Sequence, residues 1–220
     1  PIGQMLWPPW RITLPPASTL MQGSGSSKSS LVNMNGNSQT IGQLKTGYAG
    51  PEQRIIFSAA PATLTVNQSG NSEYNGSLTG AVSLVKTGTG TLTLSGTNAL
   101  FGAVAVSNGT LLVNGTGTLG ENTPAIVVGG TGTLILSNSA VIADSATVTL
   151  PPQGIATAKI SLAEGVNDAV RYLYFGAKQQ RAGTYGSLVS PAVNKDGEHF
   201  AGQGVLTVLR DDFGTVIKLH

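Results

Sequence analysis

The sequence predicts an all-β chain wound as a parallel β-helix, a solenoid in which each turn stacks on the one before. Two observations predict it. Short apolar strands recur from Ala81 to Leu150, reading Val82-Ser83-Leu84-Val85, Thr91-Leu92-Thr93-Leu94, Ala103-Val104-Ala105-Val106, Thr110-Leu111-Leu112-Val113, Ala125-Ile126-Val127-Val128, Thr133-Leu134-Ile135-Leu136 and Thr147-Val148-Thr149-Leu150. They pair into units of roughly 19 to 23 residues, the spacing of a coil that returns on itself. A β-sandwich is the alternative, because regular short strands with turn signals also fit it.

Each strand alternates with period 2. In Thr91-Leu92-Thr93-Leu94 the leucines share one face and the threonines the other, a half-buried strand of residues that favour extended backbone. The segments between strands, Lys86-Thr87-Gly88-Thr89-Gly90 and Asn114-Gly115-Thr116-Gly117, read as turn material, with Gly88, Gly90, Gly115 and Gly117 at corners. Phe101 is the one aromatic residue between Ala81 and Leu150, which suits a narrow interior of small aliphatic side chains.

The run Leu84-Val85-Lys86-Thr87-Gly88-Thr89-Gly90-Thr91-Leu92-Thr93-Leu94-Ser95-Gly96-Thr97-Asn98, followed by Gly102 and then Asn108-Gly109-Thr110-Leu111-Leu112-Val113, resembles the autotransporter-associated beta-strand repeat of bacterial passenger domains. Gly36 to Gly42 and Leu64 to Asn71 resemble segments that precede that repeat, so the likeness covers Asn35 to about Leu136. The resemblance implies a right-handed parallel β-helix displayed outside the cell, secreted or on the bacterial surface. It brings no catalytic residues, because the repeat is a scaffold.

Composition sets limits on function. The chain has 220 residues, enough for one elongated domain, with 40% hydrophobic residues and no Cys, so no disulfide or thiolate metal site is available. Charged residues make up 10% and the net charge is +2, a poor electrostatic base for nucleic acid. No run approaches the roughly 18 apolar residues of a transmembrane helix. The chain starts at Pro1 with no signal-like segment and its last residues do not resemble a translocating barrel, so a processed product or fragment is expected.

Residues 1–30 read as an arm and a linker. Trp7-Pro8-Pro9-Trp10 and Pro15-Pro16 bracket Arg11-Ile12-Thr13-Leu14, and the prolines limit any strand to a few residues. A Gly/Ser stretch from Gly23 to Ser30 follows. Trp7, Trp10, Ile12 and Leu14 either belong to a disordered tail or dock, on a second copy, giving a homo-oligomer or a head-to-tail filament, or back on the chain's own solenoid as a cap. Residues 31–158 are expected to form the solenoid.

After Pro151-Pro152 the composition shifts, and residues 159–220 hold 13 of the 22 Asp, Glu, Lys and Arg residues and half of the aromatics. They read as a β cap, since an open stack invites edge-to-edge association unless something covers it. Arg171 to Gly186 and His199 to Val208 resemble the terminal unit of proteins with this repeat. Tyr172, Tyr174 and Tyr185 form a possible platform for surface glycans. The one dense polar group, Asp196-Gly197-Glu198-His199, reads foremost as an Asp-Gly turn before a strand. Gly88-Thr89-Gly90 lacks the Lys-Ser or Lys-Thr of a phosphate loop. No catalytic residue, metal or cofactor is expected. The sequence thus points to a non-enzymatic surface protein, a stalk, adhesin or fibre subunit, with a carbohydrate-binding or carbohydrate-processing module as the alternative.

Overall fold

The computed structural model describes residues 3–5, 14–23, 29–47, 53–155 and 157–213. Among them there is no helix, and the strands build a parallel β-solenoid of about six turns. The sandwich alternative fails on strand direction, because the solenoid strands pair parallel from turn to turn.

Three sides make up each turn. On one, the register runs Leu64, Leu84, Val104, Ile126, Val148 and Leu173, each paired with the next. A second side pairs Leu92 with Leu111, Leu111 with Leu134, Leu134 with Ile160, and Ile160 with Phe200. These side chains point inward and are buried, while their Thr, Ser and Ala neighbours point outward. Period 2 therefore does in every turn what the sequence anticipates: a stack of aliphatic columns, each buried residue contributing about 1.5–3 kcal/mol relative to exposure.

The third side starts as a sheet and ends as a ladder of loops. Ile56 pairs with Leu78 and Gly80 with Leu100. Beyond that, Leu100 N–H donates to Leu119 C=O at 3.3 Å and Leu119 N–H to Val141 C=O at 2.8 Å. Turn-to-turn hydrogen bonding thus continues where the strand pattern has lapsed, which keeps buried backbone groups paired.

Two expectations about the corners need correction. Lys86 is not turn material: it is the penultimate residue of the strand Ser77–Thr87 and takes an inward position, in register with Val66 and Val106. Gly88 and Gly115 have the left-handed φ expected of corners, +74° and +60°. Gly90 and Gly117 do not; glycine is needed there for closeness, since a Cβ on Gly90 would sit 2.1 Å from Gly70 O and one on Gly117 2.5 Å from Leu94 O.

The C-terminal end breaks the parallel progression. Lys178–Gln179 folds back antiparallel on Tyr172–Phe175, and Asn167–Val170, Val205–Val208, Gly183–Gly186 and Asn194–Lys195 form a separate four-stranded sheet. At the other end Gly3–Met5 pairs with Ser30–Val32, and Thr19–Gln22 with Gln43–Thr46.

Candidate functional site

The polar chemistry of the chain is concentrated in side chains that join successive turns. Asn98, 2% exposed, sits at the corner leading into the third side. Its Oδ1 accepts from Leu78 N–H of the turn before at 2.8 Å, and its Nδ2 donates to Thr118 C=O of the turn after at 2.7 Å. Gln68, also buried, donates to Thr91 C=O at 2.6 Å and to Gly70 C=O at 3.0 Å, and accepts from Ser72 Oγ. Lys86 lays its stem in the aliphatic column and delivers its ammonium to three carbonyls, Thr87 and Gly88 at 2.8 Å and Asn108 at 3.3 Å. Burial pushes its pKa down to about 8.

Asp168 closes the loop ladder. Where a next-turn carbonyl would be needed, its Oδ2 accepts from Val141 N–H at 3.0 Å and Ile142 N–H at 3.1 Å. Burial raises its pKa to about 6, against three backbone hydrogen bonds that lower it, with the nearby Asp144 charge raising it further. A groove of about 280 Å³ opens beside Asn98, lined in part by Thr118, Glu121, Asn122 and Ile142.

At the C-terminal cap the Asp-Gly turn forms as expected, but its histidine is buried. Asp196 Oδ1 accepts from Glu198 N–H and His199 N–H, while Oδ2 meets His199 Nδ1 at 2.7 Å. His199 Nε2 lies 2.9 Å from Pro151 O, and the imidazole stacks on the Phe175 ring with centroids 4.0 Å apart. Burial raises the Asp196 pKa, but the hydrogen bonds and charge of His199 outweigh it and hold it below the ordinary value.

The three candidate tyrosines are not one platform. Tyr172 and Tyr174 face outward from Tyr172–Phe175, in register with Thr147 and Thr149, and Tyr172 is overlaid by the Arg171 guanidinium and donates to Asp212 Oδ1 at 3.2 Å. Tyr185 is buried at 5% exposure, edge-on to Phe175, with its hydroxyl donating to Arg181 C=O. Of the arm residues, Leu14 packs against the solenoid core and its N–H donates to Gln39 Oε1 at 3.1 Å. Trp7, Trp10 and Ile12 lie outside the described residues. Among the described residues no group of three or more His, Asp or Glu is placed to hold a metal ion.

The stacked register of Leu84, Leu92, Val104 and Leu111 bears directly on kinship. Residues 84–113 match the family model of the passenger-associated-transport-repeat. No curated protein and no solved structure matches the chain. The matched passenger repeat is the stretch in which Thr91–Leu94 and Thr110–Val113 stack in register, so the motif corresponds to one complete step of the coil. That repeat and the solenoid fold together fit a passenger-type surface protein, and the repeat family suggests a surface or secreted location. Asn98, inside the matched segment, acts as a cross-turn clamp.

Proposed function

We propose that the chain is a non-enzymatic structural segment of a passenger-type surface protein, working as a stalk that sets distance from the cell. The observation that supports this reading is the use to which the polar residues are put: Gln68, Lys86, Asn98 and Asp168 bind backbone of neighbouring turns. Each added turn lengthens such a coil by about 4.8 Å, so reach scales with repeat number. Antibody labelling of intact cells that express the full-length protein tests it. Labelling without permeabilisation is expected, and labelling seen only after lysis overturns it.

Assembly is a finer proposal that rests on the N-terminal arm, with Trp7, Trp10 and Ile12 as its contacts and Leu14 anchoring it to its own solenoid. Gly3–Met5 adds a parallel strand to Ser30–Val32, and the same strand can be exchanged onto that edge in a second copy. Sedimentation of a chain lacking residues 1–13 is expected to show dispersed, folded monomers; oligomers that persist sink the idea. Tyr172 and Tyr174 favour a second reading, glycan binding, because both face outward beside threonine hydroxyls. Binding on a glycan array that Tyr174→Ala abolishes would support it, and an array with no bound glycan rejects it.

A further inference from the structure

The C-terminal cap is fastened through a ring whose two nitrogens both face acceptors. Pro151 O has only lone pairs to offer, so His199 Nε2 at 2.9 Å must carry a proton to bond it. Asp196 accepts two backbone N–H groups on Oδ1 and is held in its ionised form, so Oδ2 is also an acceptor and Nδ1 at 2.7 Å must carry a proton too. Only the imidazolium satisfies both bonds. We propose that His199 is a proton-gated latch that fastens the C-terminal cap to the loop leaving Thr147–Leu150, closed while the ring is doubly protonated and released when it loses one proton.

The groups around the ring fit this role. Asp196 and Glu198 lie on its own segment; Lys159, from the strand Lys159–Leu162, donates to Gly197 C=O at 2.8 Å; Tyr185 of the cap sheet packs edge-on to Phe175, the ring on which His199 is stacked. Glu198 Oε1 accepts from Gly154 N–H at 2.7 Å, so the Asp196–His199 segment meets the 151–154 loop at two points. A neutral imidazole has one N–H. If Asp196 retains it, a nitrogen lone pair of the buried ring faces Pro151 O, and the repulsion separates cap from loop. The latch is therefore tight while both ring nitrogens carry protons and is lost when one of them is removed.

Two measurements on the whole chain test the proposal. Nitrogen-15 NMR of the His199 ring at pH 6 is expected to show both nitrogens protonated, and a neutral single tautomer at that pH overturns it. Amide exchange, corrected for its intrinsic pH dependence, is expected to show protection of 200–208 falling about tenfold between pH 6 and 9, as befits local opening of one unit, with Thr110–Val113 unchanged. In His199→Gln, which cannot titrate, that fall should vanish. The ring measurement stands even if this variant loses its cap, and an equal fall in wild type and variant refutes the latch.

Discussion

The side-chain amide of Asn98 donates to the Thr118 carbonyl 2.7 Å away, one turn on, while Thr118 Oγ1 donates back to the Asn98 carbonyl at 3.0 Å. The pair is a reciprocal clamp. With Leu78 N–H donating to Asn98 Oδ1, one residue couples three turns where a strand would need a full ladder. Asn98→Ala should destabilise by about 2–4 kcal/mol, because it leaves a buried donor and a buried acceptor unpaired. Asn98→Asp should cost at least as much, since its carboxylate would face the Thr118 and Gly96 carbonyls. Urea midpoints decide; an unchanged midpoint in Asn98→Ala would show that the clamp contributes nothing.

Lys86 predicts an alkaline gain. Its folded pKa of about 8 lies below the ordinary 10.5, so the fold disfavours the ammonium, and its contribution improves as pH rises through 8 toward 10.5. The shift sets a ceiling of about 3 kcal/mol, and the three carbonyl partners, which favour the charged form, bring the expected gain to about 1 kcal/mol. Wild type should gain on Lys86→Met between pH 7.5 and 9.5 in paired urea titrations. Parallel curves would refute this.

Asp168 predicts the opposite slope on the acidic side. Its folded pKa of about 6 is raised above 3.8, so the stability it contributes is fully present below 3.8 and lost as pH rises through 6. Between pH 4 and 7 wild type should therefore lose about 1–2 kcal/mol relative to Asp168→Asn, within the ceiling set by the shift. Thermal melts of the two proteins across that range are the check, and a constant difference between them would count against a raised Asp168.

Glycine substitutions should separate closeness from backbone angle. A Cβ on Gly115 meets nothing within 4 Å, so Gly115→Ala carries only the left-handed φ and should cost about 1 kcal/mol. Gly90→Ala drives a methyl into the Gly70 backbone and should cost more, about 2–4 kcal/mol, by forcing two turns apart. Equal melting temperatures for the two variants would refute the distinction.

Much of the fold was legible in sequence because its signals are local. The alternation in Thr91-Leu92-Thr93-Leu94 assigns an inner and an outer face, the recurrence of such strands sets the coil, and the crowding of charge and aromatics after Pro151 marks the cap. The inward position of Lys86 is hidden in the sequence for an equally local reason. A lysine beside Thr-Gly-Thr-Gly looks like a turn, yet its long stem fits an aliphatic column while its ammonium reaches the corner carbonyls. The tyrosines show the same limit: Tyr172 and Tyr174 lie outward by alternation, but Tyr185 is turned inward by the cap, away from them.

By itself, then, the sequence determined the class of the protein: a repeat-built, all-β solenoid with a passenger-type motif at residues 84–113. Only the tertiary structure decided which groups meet. Val141 N–H finds Asp168 across 27 residues, Lys86 finds the Asn108 carbonyl across 22, and His199 finds Pro151 across 48. Alternation says which face a side chain takes; the register between turns says which amide or carbonyl lies within 3 Å of it. Loop lengths set that register by closing each turn, and they leave no periodic trace along the chain.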